Sequence, residues 1–179
     1  MQFVDSLELV RLGQGISGQT PLSQFVRLLD GLPAQPQPDS PVTWSVRGSA
    51  SGDAAGEHER WLHVRAHAAP TLVCQRCMQP FVCTLEADTS LQLVASEAEL
   101  EALDARDEAS GLDDQDMVER IVASRRLDVL ALVEDELILS LPYVPKHDVC
   151  PSLPDALKAD GGGDSRPSPF AVLEKLKKH

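Results

Sequence analysis

Four side chains with soft ligand atoms lie in two short motifs that are far apart in the sequence. One motif is Cys-x-x-Cys and the other is His-x-x-Cys, and together they contain Cys74, Cys77, His147 and Cys150. Structural zinc binds four thiolate sulfurs or imidazole nitrogens in a tetrahedron. The two motifs therefore predict one zinc site that joins the middle of the chain to its C-terminal third. Because four protein ligands leave no position for water, the predicted metal is structural.

Other roles for the cysteines stay open on spacing alone, because the two motifs are far apart. A redox dithiol normally lies at the N-terminus of a helix, whereas strand-like segments flank Cys74 and Cys77. A disulfide is disfavoured in a reducing cytoplasm. Cys83 could replace one ligand, but we interpret it as a small hydrophobic residue buried on a strand.

The segments around these motifs predict an α+β fold. Residues 42–48, 60–69 and 81–94 have the composition or alternation of strands, and we expect an antiparallel sheet or a partly closed barrel. The Cys-x-x-Cys motif would then lie on a turn between two strands. Asp128 is the predicted N-cap of a central helix from Val129 to about Leu139 that packs on the sheet.

The remaining segments carry weaker signals. Residues 1–13 alternate loosely and predict an edge strand, which Gly13, Gly15 and Gly18 would end. Thr20 and Pro21 predict the start of a helix that ends near residue 31. Residues 117–122 predict a short extended segment that leads into the central helix.

Acidic residues are concentrated in one part of the chain. The 179 residues carry a net charge of −12, and sixteen acidic and four basic side chains lie between Glu86 and Glu136. Residues 96–111 predict a mobile loop with at most a short helix, within an acidic excursion over about residues 96–115. This charge disfavours wrapping of nucleic acid by the whole surface and favours a basic protein partner or simple solubility.

Two clusters of polar residues are candidates for catalysis or binding. The consecutive Glu134, Asp135 and Glu136 are expected on the solvent side of the central helix, where neighbours in sequence do not converge on a substrate. His63, Arg65 and His67 share one face of the strand at 60–69. That face is interpreted as solvated, with RNA contact or a metal pair as alternatives.

The sequence predicts one α+β domain over residues 1–155, followed by a flexible linker and a basic amphipathic tail helix over residues 156–179. Three consecutive glycines indicate the linker. The tail helix would either dock on the domain or bind a partner. Its predicted partner-binding residues are Phe170, Leu173, Leu176, Lys175, Lys177 and Lys178. The absence of a long apolar run and of a signal-peptide pattern predicts a cytoplasmic protein without membrane contact.

Three motifs in this order resemble the YceD family, the large ribosomal RNA subunit accumulation proteins. They are Cys-Gln-Arg-Cys at 74–77 with Pro80, the segment LDVLALVEDELILSLPYVPKHDVC at 127–150, and Pro-Phe-Ala-Val-Leu at 169–173. The resemblance implies a non-catalytic ribosome biogenesis factor that supports the accumulation of large-subunit rRNA in bacteria and plastids. The family's Cys-x-x-Cys and His-to-Cys pairs fall on the four predicted ligands, and zinc binding by them is our inference.

Three functions remain to be distinguished. A binding factor would engage a ribosomal protein or a precursor of the large subunit, with any rRNA contact indirect. A metal-dependent hydrolase that processes rRNA would need an open metal position and a nearby carboxylate base. A zinc-stabilised RNA-binding module would need Arg60, Arg65, Arg76 and Lys146 to gather in one patch.

Overall fold

The structure is a computed structural model that describes residues 2–52, 58–110 and 118–151. The first compact unit is Met1–His147, and the second is Asp148–His179, of which only residues 148–151 are described. The predicted tail helix and its six partner-binding residues lie outside the described residues. The boundary predicted between residues 155 and 156 stays a prediction.

Nine strands and four α-helices are seen in the described residues. The strands are β1 Phe3–Val4, β2 Gly15–Pro21, β3 Pro41–Gly52, β4 His58–Ala68, β5 Thr71–Val73, β6 Pro80–Val82, β7 Leu85–Val94, β8 Arg120–Val122 and β9 Leu127–Asp128. The helices are α1 Ser6–Leu12, α2 Val26–Leu29, α3 Glu97–Ser110 and α4 Val129–Leu139, with a 3₁₀ turn at Leu22–Gln24.

The main sheet contains five strands in the order β2-β3-β4-β7-β8. Its first three pairings are antiparallel, whereas β7 and β8 are parallel. The sheet is open, so the α+β prediction is confirmed and its barrel alternative is not observed. Strand β4 alternates as predicted, with Leu62, Val64, Ala66 and Ala68 buried in the core.

Helix α4 packs on the buried face of this sheet and has the predicted boundaries. The Asp128 carboxylate accepts hydrogen bonds from the backbone N–H groups of Leu130 at 3.1 Å and Ala131 at 3.3 Å. This side chain therefore satisfies two of the amides that a helix leaves unpaired at its start. Val133 and Leu137 of α4 have no exposed surface.

The prediction that the acidic trio faces solvent is wrong for Glu134 and Glu136. Glu134 is 8% exposed and accepts hydrogen bonds from the backbone N–H of Arg27 at 2.7 Å and from its Nε at 2.9 Å. The same carboxylate accepts the N–H of Leu28 at 3.2 Å. Glu134 thus caps α2, whose own N-cap, Phe25, provides no side-chain hydrogen bond.

The N-terminal predictions also need correction. Most of the expected edge strand is helix α1, because Asp5 caps its first turn and Gly13 ends it in a left-handed conformation. Gly15 and Gly18 lie within strand β2 instead of ending one. A Cβ at Gly18 would lie 2.7 Å from the ring of Trp44, so glycine is needed for that close contact.

The prediction that a helix starts at Thr20 and Pro21 is also wrong. Both residues belong to β2, and the Thr20 hydroxyl accepts a hydrogen bond from Trp44 Nε1 at 3.0 Å. The hydroxyl is therefore engaged across the sheet and caps no helix. The helical residues are limited to the 3₁₀ turn and the four residues of α2.

The acidic stretch is a helix rather than the expected loop over Glu97–Ser110. Arg120, whose side chain is 5% exposed, forms salt bridges to Asp104 at 2.9 Å and Asp107 at 2.5 Å. Its Nε also donates to Gln92 at 3.0 Å. One arginine of β8 therefore attaches the acidic helix α3 to the edge of the sheet.

The buried Glu136 predicts a pH dependence of stability. Burial raises the pKa of this carboxyl above 4.5, a hydrogen bond with Thr89 opposes the shift, and Glu119 and Asp135 raise the pKa further. The folded state then binds more protons than the unfolded state, so this group removes stability as the pH rises above 4.5. E136Q should raise the free energy of unfolding at pH 7, and the gain should disappear at pH 3, in urea titrations at both values.

A control variant should behave in the opposite way. A side-chain hydrogen bond from Arg11 lowers the pKa of the exposed Glu8, so the small contribution of Glu8 is present at pH 7 and is lost as the pH falls. E8Q should therefore give no gain at pH 7. Equal stability of E136Q and the wild type at pH 7 would contradict the role given to Glu136.

Candidate metal centre

The Cys-x-x-Cys motif lies on the turn between β5 and β6, as predicted. These short strands pair in the register Thr71 with Val82 and Val73 with Pro80. The N–H of Met78 donates to the carbonyl of Cys74 at 2.8 Å, and the N–H of Cys74 donates to the carbonyl of Gln79 at 3.0 Å. These bonds close a tight loop that carries Cys74 and Cys77.

Met78 has a backbone conformation that its residue type disfavours. Its φ is +59°, and among the described residues it is the one non-glycine with positive φ. Such a conformation costs an L-residue roughly 1–2 kcal/mol. The turn is therefore held by its surroundings and not by the preference of Met78, whose side chain is 70% exposed.

The segment after α4 runs beside this turn. The N–H of Gln75 donates to the carbonyl of Pro145 at 2.9 Å, and Arg76 Nη2 donates to the carbonyl of His147 at 3.0 Å. The ring of Phe81 lies 4.8 Å from the ring of His147, measured between centroids. These contacts place the imidazole next to the cysteines, and the sequence carried no signal for them.

The four predicted ligands form one cluster. Their ligand atoms all lie within 4.8 Å of one another, in the group Cys74, Cys77, His147 and Cys150. Cys77 Sγ lies 3.4 Å from His147 Nδ1. Ligands of one tetrahedral zinc at about 2.0–2.3 Å stand roughly 3.3–3.8 Å apart, so the observed separations are within about 1 Å of that arrangement.

The environment of Cys74 favours the thiolate that a metal requires. Burial opposes ionisation, but hydrogen bonds from the backbone of His147, Cys77 and Arg76 and from the His147 side chain lower the pKa of the Cys74 thiol to about 5. The His147 N–H donates to Cys74 Sγ at 3.4 Å. Backbone amides commonly donate hydrogen bonds to the cysteine sulfurs of a zinc site and orient them.

Cys83 is not a member of the cluster. It is half-buried against the hydrophobic core, and burial raises the pKa of its thiol. A neutral thiol is a poor metal ligand, so Cys83 acts as a small hydrophobic residue, as predicted. It lies between β6 and β7 and is only half-buried, so the prediction that it is buried on a strand is wrong.

The donor set indicates what the cluster can do chemically. Three cysteines and one histidine suit zinc and fill a tetrahedron. The group contains no carboxylate, and Glu134 of the acidic trio is bound to Arg27. The arrangement therefore fits a structural metal better than a catalytic one.

An RNA-binding zinc module would need Arg60, Arg65, Arg76 and Lys146 in one basic patch, and two of these residues lie on opposite faces of the sheet. Arg60 and Arg65 lie on β4 at positions of opposite parity, so their side chains leave the sheet on opposite faces. Arg76 belongs to the Cys-x-x-Cys turn. Arg60 and Arg65 therefore cannot belong to one patch on the sheet.

The part of the chain that contains the Cys-x-x-Cys and His-x-x-Cys motifs also matches a known protein family. A family model described as "Large ribosomal RNA subunit accumulation protein YceD" matches residues 62–177, which include all four clustered ligands. The chain belongs to the YceD family. A curated relative, the large ribosomal RNA subunit accumulation protein YceD of Haemophilus influenzae (strain KW20/Rd), is 34% identical over 119 residues.

The match to this YceD protein spans 59% of the chain and 59% of the relative's own length. No solved structure matches the chain. YceD proteins are described as accumulation factors rather than as enzymes. No helix among residues 2–52, 58–110 and 118–151 is long and apolar enough to cross a membrane.

Metal removal should destabilise the protein. At free zinc about 100-fold above its dissociation constant, binding stabilises the native state by about 2.7 kcal/mol, or roughly 5–10 °C in melting temperature at this chain length. A chelator should lower the melting temperature of the wild type by this amount, and C77S should melt at the lower temperature with or without chelator. Scanning calorimetry and metal analysis measure both.

C83S is the matched control for C77S. It also replaces one half-buried cysteine by serine, yet it should keep one metal per chain and its sensitivity to chelator. Metal content that falls equally in C83S and C77S would contradict the assignment of the ligands.

Proposed function

We propose that this protein is a non-catalytic ribosome biogenesis factor that supports the accumulation or maturation of large-subunit rRNA in the cytoplasm. The observation that carries the proposal is the YceD match, which spans strands β5 and β6, helix α4 and the clustered ligands together. A structural zinc bound by Cys74, Cys77, His147 and Cys150 would hold this part of the chain together. The name of the relative supports the connection with the large subunit.

The absence of catalysis in this proposal follows from the ligand set. A hydrolytic zinc needs an open position for a water and a general base beside it. Here four side chains would fill the coordination sphere, and the buried Glu134 is held by an arginine and two backbone amides. The alternative of an rRNA-processing hydrolase would require one ligand to leave the metal.

The charge of the protein supports a basic partner. Helix α3 presents several exposed carboxylates, including Glu97, Glu101 and Glu108, and the whole chain carries −12. A basic ribosomal protein, free or within an assembly intermediate, would be attracted to such a helix, most strongly at low ionic strength. We therefore propose contact with a ribosomal protein or an assembly intermediate, without membrane association.

The tail is the second proposed contact. Its sequence places Phe170, Leu173 and Leu176 at helical spacing, with lysines between and after them at positions 175, 177 and 178. A flexible linker over residues 156–167 would let this segment reach a groove on a partner. The proposal for the tail rests on sequence alone.

Sedimentation through a ribosome gradient tests the proposed function. Tagged full-length protein should co-migrate with precursors of the large subunit, and C77S should shift to the top of the gradient because it loses the metal. C83S is the control and should sediment like the wild type. If the wild type is absent from all fractions that contain large-subunit components, the proposal is wrong.

A second measurement distinguishes the hydrolase. Purified wild type is incubated with precursor rRNA, and the ends of the RNA are mapped. Unchanged ends are expected for a binding factor, whereas new ends that are absent with C77S would establish the hydrolase instead.

A further inference from the structure

The main sheet has two unlike faces. The buried face carries the core residues and is covered by α1 and α4. On the opposite face, β3 and β4 present polar side chains, among them Ser45, Arg47, His63 and Arg65. Helix α3 reaches this face at the β7–β8 edge through Arg120. Within the described residues, the part over β2, β3 and β4 is left open.

A groove of about 550 Å³ lies on this open part. Its lining residues come from β2, β3 and β4 and are Gly15, Ile16, Ser17, Ser45, Val46, Arg47, His63 and Arg65. Gly15 and Ser17 have small side chains that leave space above β2, and Gly15 lies opposite Arg47 in the strand register. The arginines and the imidazole form its walls.

The charge of the groove is opposite to that of the protein. Two guanidinium groups and an imidazole line it without a carboxylate, although the chain as a whole carries −12. Arg47 lies opposite His63, and Arg65 is two residues further along β4, so Arg47 and Arg65 are diagonal neighbours about 7–8 Å apart. Two guanidinium groups at this spacing can bind one extended anion.

The two arginines keep donors available. Arg65 Nε donates to Asp88 at 3.1 Å, but both side chains are more than half exposed, and such a pair contributes little. A guanidinium has five N–H donors, and this bond uses one of them. The other four remain for a ligand. Arg47 is exposed on the neighbouring strand.

His63 gives the groove a fixed wall. Its Nε2 lies 2.8 Å from Ser49 Oγ, and its Nδ1 lies 2.8 Å from Ser90 Oγ. Two serine hydroxyls from the flanking strands therefore hold both nitrogens of the ring. The imidazole keeps its orientation beside Arg47 without depending on a ligand.

We propose that this groove binds phosphates of the RNA backbone, with Arg47 and Arg65 as the phosphate-binding residues. Guanidinium groups match phosphate oxygens in geometry and charge. Phosphate contacts of this type position RNA without reading its sequence. The inference rests on the proposed function, because that function brings the protein next to large-subunit rRNA. It adds a direct RNA contact to a protein whose overall charge would repel RNA elsewhere.

Fluorescence anisotropy with a labelled single-stranded RNA of about 12 nucleotides tests the groove. The wild-type full chain should bind at about 50 mM salt, and R47Q/R65Q should bind at least about 10-fold more weakly. In a plot of log K against log salt concentration, the loss of two phosphate contacts should make the slope less steep by about 1.4. Circular dichroism and melting temperature confirm that the variant is folded.

The matched control is R106Q/R125Q, which removes the same charge from two exposed arginines outside the groove. It should weaken RNA binding by less than about 2-fold. Equal weakening by the two double variants, or no RNA binding by the wild type, would overturn the inference. A labelled poly-glutamate peptide that binds more tightly than RNA and depends on Arg47 and Arg65 would also overturn it, in favour of an acidic protein.

The two proposals can fail separately. If R47Q/R65Q binds RNA normally while the wild type co-migrates with large-subunit precursors, the groove inference is wrong and the proposed function stands. If RNA binding depends on the groove but the wild type never meets large-subunit components in the gradient, the groove stands and the proposed function is wrong.

Discussion

The convergence of four soft ligands is the constraint on which the region after α4 depends. Hydrogen bonds of the Cys-x-x-Cys turn with Pro145 and His147 are each worth about 0.5–1.5 kcal/mol, and somewhat more for the bond from the charged Arg76. A structural zinc at a free concentration about 100-fold above its dissociation constant would add about 2.7 kcal/mol. A bound zinc would therefore contribute about as much stability as several of these bonds together. The backbone bonds set the geometry, and the metal would stabilise it.

Ion pairs of two arginines hold α2 and α3 in place where hydrophobic packing alone does not. Arg27 is bound to Glu134, Asp135 and the carbonyl of Ala131, which joins α2 to α4. Arg120 joins α3 to the sheet in the same way. Removal of one partner from a buried pair leaves an uncompensated charge, so such pairs enforce one arrangement even where their net stabilisation is small. Arg120 is thereby used inside the fold, whereas Arg27 is half-exposed at its surface.

Local signals in the sequence were enough for some elements. The alternation of β4 and the cap at Asp128 were predicted correctly because each depends on residues only a few positions apart. The convergence of Cys74, Cys77, His147 and Cys150 was predicted because these side chains can bind one metal together. The distance between the two motifs gave no information on how they meet.

Long-range partners explain the predictions that failed. Glu134 reads as a surface residue because Arg27 lies 107 positions away. Helix α3 reads as a loop because its pattern is not amphipathic, and the Arg120 that anchors it follows on another element. Helix α1 reads as a strand because its packing against Gly48, where a Cβ would lie 2.5 Å from the backbone of Leu9, is not visible locally.

X-ray absorption at the zinc edge of the purified full-length protein tests the central claim most directly. Three sulfur neighbours at about 2.3 Å and one nitrogen neighbour at about 2.0–2.1 Å are expected for the four clustered ligands. The spectrum of C77S should lose one sulfur neighbour or the metal itself, whereas that of C83S should be unchanged. A first shell of oxygen and nitrogen alone, or a wild type purified with zinc available and containing none, would contradict the account.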